Sequence, residues 1–193
     1  MESEWQIAVD PAVEERVTAA LQHRAPDRIA VWDYVGNPSL VNHFRQPKDG
    51  DWRALVRTYH ALEIDVCPWF QWPAAKQQEP DLEPMRSIAA LEAELEEPDE
   101  EWEPLEEALL DEYRLSRDML APRTMFVPRA GTGLTALYVQ AGLERFSEWL
   151  SDERGLVEAV LRERAALNLK WATTIARERL SPVVVLEEEI AGS

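Results

Sequence analysis

"HRAPDRIAVWDYVGNPSLVNHF", residues 23–44, decides how the chain is read. Ile29, Ala30, Val31 and Trp32 form the short apolar run of a buried strand. The stretch then turns polar without a break, at Asp33, Tyr34, Gly36, Asn37 and Pro38. A strand that only fills a core needs the first half alone. What the second half does depends on the kind of sheet to which the strand belongs.

Three more segments read as strands: "EIDVCPWF" at 63–70, "TMFVPRA" at 124–130 and "PVVVL" at 182–186. Helical spacing fills the intervals. Asp10-Pro11 is a cap followed by Pro at the first helical position, and Val13, Val17, Ala20 and Leu21 share the face that follows. Asp51 caps a helix with Leu55, Val56, Tyr59 and Leu62 inward. Residues 71–84 are Pro- and Gln-rich and read as loop. Ser87 caps "IAALEAELEE", and a helix over about 103–120 carries Leu105, Leu109, Leu110 and Tyr113. After a Gly-rich loop come one or two helices, then a long helix capped by Asp152. It runs to about 180, with Leu156, Val160, Leu161, Leu167, Trp171 and Ile175 as its apolar residues. Strands alternating with helices predict parallel βαβ units in one α/β domain over 1–193.

The bulk properties fit. Of 193 residues, 46% are apolar and 30% charged, as in a soluble globular chain. No signal peptide opens the sequence and no run approaches a membrane span. With Cys67 the only cysteine, no internal disulfide forms, and the cytoplasm is the expected compartment. Net charge is −17, unevenly spread: residues 79–112 hold fifteen Asp and Glu against Arg86 alone. Such a segment is a solvated pair of helices or an acidic docking surface for a basic partner. Neither suits nucleic acid, whose phosphates it would repel.

"PVVVL" is uniformly apolar, the pattern of a strand buried on both faces. "EEE" stands at its C-terminal end, where α/β folds place ligands. Four parallel strands are too few for a closed eight-stranded barrel, and no helix follows the last one. The expectation is half of a split or truncated barrel with an apolar strand edge left open.

"RVTAALQHRAPDRIAVWDYVG" resembles the opening of the uroporphyrinogen decarboxylase superfamily, which includes corrinoid-dependent methyltransferases. "GTGLTALYVQAGLERFSEWLSDERGLVEAVL" is similar to the family's Gly-rich loop, Tyr-bearing helix and acid-capped helix. "PVVVLEEEIAGS" resembles the family strand that ends in an acidic pair. The three matches come in family order across nearly the whole chain. The resemblance implies the N-terminal half of a (β/α)8 TIM barrel, with extra N-terminal and inserted acidic helices. It also answers the opening question: the polar half of 23–44 is where strand one emerges at the active-site face.

The decarboxylases hold substrate carboxylates there with arginines, in a "PVW.MRQAGR" pattern. Arg suits this because its planar fork binds a carboxylate through two parallel bonds. Here Ala30, Val31 and Trp32 match, but Asp33, Tyr34 and Asn37 stand where the arginines belong. Near the end of strand two the family's "FSDIL" acid is missing from "VCPWF"; Asp65 lies earlier, towards the strand's start.

The candidate substrate-binding residues are Asp33, Tyr34, His43, Arg129, Gly131, Gly133 and Tyr138. Asp33 and Tyr34 read equally as a hydrogen-bonded turn. Arg129 would pair a substrate acid or bridge to the acidic helices. Gly131 and Gly133 would admit a ligand to the backbone or serve a tight turn. Tyr138 would bond substrate or sit in the core. Glu187 and Glu188 match the acidic pair and are the candidate catalytic residues; strand alternation turns one inward and one outward. Cys67 reads foremost as a small buried hydrophobe. His23, His43 and His60 have no metal-ligand spacing.

The expected function is therefore an enzyme of the methyltransferase type. Its relatives hold zinc through a His-x-Cys and a later Cys in the C-terminal half. The zinc activates a thiol, and a methyl group moves to or from a corrinoid. This chain carries none of those ligands, so by itself it would be inactive and free of zinc. Its partners would be a small-molecule substrate or a corrinoid protein, and a second polypeptide completing the barrel. One alternative is a true uroporphyrinogen decarboxylase in porphyrin biosynthesis, which needs no cofactor. Another is a non-catalytic binding or assembly subunit.

Overall fold

A computed structural model of the chain describes residues 5–33, 35–68, 87–96, 102–131 and 133–186. Eight helices are present among them: α1 (Pro11–Leu21), α2 (Pro38–Phe44), α3 (Asp51–Ala61), α4 (Ile88–Glu96), α5 (Trp102–Leu120), α6 (Leu134–Ala141), α7 (Leu143–Asp152) and α8 (Arg154–Arg177). The strands are short: β1 (Val66–Cys67), β2 (Met125–Phe126), β3 (Arg129–Ala130) and β4 (Val185–Leu186). The protein is mostly helical, with an α/β order.

All pairings among the described residues are parallel, and they follow chain order. Trp32 bridges to Val66, β1 pairs with β2, and β3 pairs with β4. The 124–130 strand is interrupted at Val127 and Pro128, where it changes neighbour. The Val127 N–H donates to the Cys67 carbonyl on one side, and the Pro128 carbonyl accepts from the Val185 N–H on the other. Pro128 has no N–H to give a ladder. The strands do not close into a barrel among the described residues.

Side chains alternate across this sheet. Cys67 and Phe126 pack with Leu55 and Tyr59 of α3 and Leu120 of α5, and Phe126 also meets Tyr113 of α5 and Ile175 of α8. Val66, Met125, Val127, Val183 and Val185 gather instead with Val13 and Val17 of α1. The three helices that carry the chain from strand to strand thus cover one face, and α1 lies on the other. A separate cluster joins Leu91 of α4, Leu137 of α6, Trp149 of α7 and Val160 of α8.

Caps confirm several predicted ends. Asp10 Oδ1 accepts the Ala12 N–H at 2.8 Å, and the Ser87 hydroxyl accepts from Ala90. Other expectations change. Ala20 and Leu21 are exposed, and Arg16 and Ala19 join Val13 and Val17 in the buried set. Gly50 caps α3, and Asp51 is its first residue, paired with Arg45. Asp152 ends α7 rather than capping α8. β4 is not buried on both faces: Leu186 is 69% exposed and Val184 42%. Among the described residues it has a neighbour on one side only.

Candidate functional site

The first half of residues 23–44 is anchored at the sheet's N-terminal end. Asp65, one residue before β1, is 1% exposed. Its carboxylate accepts from Arg16 at 2.5 Å, from both terminal nitrogens of Arg28 at 2.8 Å, and from the Val31 N–H at 2.9 Å. Arg16 also grips Asp27 through two bonds of 2.8 Å. Hydrogen bonding to Asp27, and then to Asp65, raises the Arg16 guanidinium above its ordinary value. The same contact with Arg16 lowers the Asp27 carboxyl to about 2. Two arginines and two aspartates balance and saturate one another, so this cluster is a latch between α1, the first strand and the second.

Other bonds tie the N-terminal segment to the same end of the sheet. The Asp10 N–H donates to the Pro122 carbonyl, and the Gln6 N–H to that of Arg179. Both acceptors lie in turns that lead into strands. The opposite end, where the strands finish, is the place for chemistry in parallel α/β folds.

At that end Val35 is held by Tyr59. Its hydroxyl accepts the Val35 N–H at 3.0 Å and shares a hydrogen bond with Cys67. Both side chains are buried, at 1% and 0% exposure. Burial first, then the neighbouring Cys67 and Asp33, push the phenol well above its ordinary pKa, so it stays protonated. Asp33 stands above this pair and is exposed. Its N–H donates to the Val66 carbonyl. Asn37 and Pro38 open α2: Asn37 Oδ1 accepts the Ser39 N–H at 2.9 Å, and Pro takes the first helical position. Part of the polar half of 23–44 is therefore a helix cap.

The third strand's exit is held by α8. The Gly131 N–H donates to Asn168 Oδ1 at 3.1 Å, and Trp171 Nε1 donates to the Arg129 carbonyl at 3.0 Å. Gly133 has φ +85°, and a Cβ there would sit 2.7 Å from the Cβ of Arg164. Its glycine is required by α8, whatever else approaches the loop. Arg164 in turn holds Glu94 of α4 through two bonds of 2.7 Å and Gln140 of α6 at 2.9 Å.

The predicted residues scatter. Asp33 lies at the first strand's exit, and Arg129 and Gly131 at the third. His43 is exposed in the last turn of α2, edge-on to Phe44 with ring centroids 4.9 Å apart. Tyr138 is half-buried, its ring near Phe146, against the helical cluster. Tyr34, Glu187 and Glu188 lie outside the described residues. No group of three His, Cys, Asp or Glu able to hold a metal ion occurs among the described residues.

Sequence reading missed Tyr59, Asn168 and Trp171 as the supports of this end. Each lies on an apolar helical stripe, where a polar atom reads as incidental. No helix among the described residues is long and apolar enough to cross a membrane. No family model, no curated protein and no solved structure matches the chain.

Proposed function

We propose that the chain is the N-terminal half of a (β/α)8 barrel of the uroporphyrinogen decarboxylase superfamily, of the methyltransferase type. One observation carries this reading. Four parallel strand segments stand in chain order, and α3, α5 and α8 cross between them on a single face. A doubly wound sheet reverses its strand order and carries helices on both faces. Stepwise order with one-sided crossovers is what a barrel requires.

The exit of the first strand favours methyl transfer over decarboxylation. Exposed Asp33, in place of an arginine clamp, would repel a substrate bearing several carboxylates. The chemistry would then await a second half barrel that brings zinc ligands and faces the corrinoid. The purified chain should hold no zinc and turn over no porphyrinogen. Metal analysis showing one zinc per chain, or chromatography showing a less carboxylated porphyrin, would reject the assignment.

The assembly-subunit reading draws on a different observation. Ile29 is 85% exposed and Trp32 62% on one edge of the sheet, and Leu186 is 69% exposed on the other. A chain whose only task is to pair with another would show such edges and no activity when completed. Methyl transfer by the completed barrel separates the two.

A further inference from the structure

We propose that the contact between His60 and the Leu120 carbonyl is an acid-sensitive joint: a proton taken up by the His60 ring releases the turn that leads into β2. The joint lies at the N-terminal end of the sheet, away from the strand exits, so it stands apart from the proposed methyl transfer.

His60 is half-buried in the last turn of α3. Its Nε2 lies 2.9 Å from the carbonyl of Leu120, the last residue of α5 and 60 positions away in the chain. A carbonyl only accepts, so Nε2 carries the hydrogen and Nδ1 is the nitrogen that titrates. The Leu120 carbonyl also accepts the Thr124 N–H at 3.2 Å. The turn between them holds three other segments. Thr124 Oγ1 donates to the Ile64 carbonyl at 2.8 Å. The Met125 N–H donates to the Asp65 carbonyl at 2.7 Å, and the Asp10 N–H to that of Pro122 at 2.8 Å. His60 thus grips the turn that ties α1, β1 and β2 together.

Three influences act on the ring. Burial opposes its charged form most, the bond to Leu120 favours that form, and the Arg123 guanidinium repels it. Burial and Arg123 outweigh the bond, so the ring holds its proton less tightly than an ordinary histidine. The other charged groups on these elements are engaged elsewhere. Arg57 of α3 pairs with Asp49, Arg117 of α5 pairs with Asp118, and Asp10 caps α1. Glu63, three residues on, is exposed, where water screens its charge. An imidazolium beside Arg123 is relieved by moving out to water, which gives up the Leu120 contact. The unfolded chain binds the proton more tightly than the folded one. The joint is therefore whole above the ordinary histidine value of about 6.5. It is lost as pH falls below that value towards and through the folded one.

The test is amide hydrogen exchange on the purified chain between about pH 7.5 and 5, beside an NMR titration of the His60 ring. Each exchange rate is divided by that of a free peptide at the same pH. The ring should titrate below about 6.5. The Thr124 N–H should lose protection by up to about tenfold for each unit of that difference. The Val127 N–H, held by the Cys67 carbonyl, should keep its protection. His60→Gln keeps a side-chain donor but takes up no proton, so its Thr124 protection should stay flat. A ring that titrates at or above about 6.5 overturns the proposal. So does Thr124 protection that stays constant, or that falls only together with Val127. A wild-type acid response in His60→Gln also overturns it, by assigning the proton to another group. The first two readings use the unaltered chain and decide the matter even if the variant does not fold.

Discussion

Arg16 and Asp65 meet at 2.5 Å with both side chains almost wholly buried, 49 residues apart in the chain. Asp65 has only 1% of its side chain in contact with solvent, and Arg16 9%. The pair fastens α1 to the start of the second strand and so sets which end of the sheet is closed.

Removing one partner should be costly. Asp65→Ala leaves the Arg16 charge buried beside Asp27 alone and frees the Val31 N–H. A loss of about 3–5 kcal/mol is expected, as for other broken buried pairs. Urea unfolding monitored by tryptophan fluorescence checks this. A loss below about 1 kcal/mol would mean that the latch is not closed in solution.

Acid should open the same latch from Asp27. Its folded pKa, held to about 2 by Arg16, lies below the value of a free carboxyl. The unfolded state therefore takes up the proton first. The stabilisation is present in full above the unfolded pKa and is lost as pH falls from about 4 towards 2. Asp27→Asn should flatten that limb of a stability–pH curve, and an unchanged limb would assign it to other carboxylates.

Tyr59→Phe should loosen the exit of the first strand. The half-buried Val35 N–H loses its acceptor, at a cost of about 1 kcal/mol. Hydrogen exchange should accelerate at Val35 before it does at Val127, whose N–H is held by the Cys67 carbonyl. Equal acceleration at both would indicate global destabilisation instead.

Gly133→Ala tests the other exit. The new methyl would meet Arg164 at a backbone angle that L residues disfavour. The expected loss is about 1–3 kcal/mol. Arg164→Ala removes the contacts with Cγ and Cδ but leaves the Cβ contact at 2.7 Å and the angle, so Gly133→Ala should cost nearly as much in the Arg164→Ala background as in the wild type.

Much of the local order was legible. Asp10-Pro11 and Ser87 announced helix starts because a cap acts within three residues of itself. The apolar periods placed α3, α5 and α8, and α/β alternation followed from their order. α2 is absent from the sequence reading, which takes Asn37 and Pro38 as part of the polar exit of strand one, although the same two residues make a cap and a first turn. In the sequence the "PDR" of residues 26–28 carries only a resemblance; its task lies in the contacts of Asp27 with Arg16 and of Arg28 with Asp65. The burial of "PVVVL" was misjudged because uniform apolarity does not say how many neighbours a strand has.

The sequence by itself determined where helices begin, how strands and helices alternate, and that the excess negative charge belongs to residues 79–112. These properties depend on residues a few positions apart. Only the tertiary structure decided that the strands stand in chain order, that α1 lies opposite the crossover helices, and that Asp65 is buried between two arginines. Strand neighbours and buried charge depend on groups far apart in the chain. Their energies come from desolvation and close pairing, which no window of sequence contains.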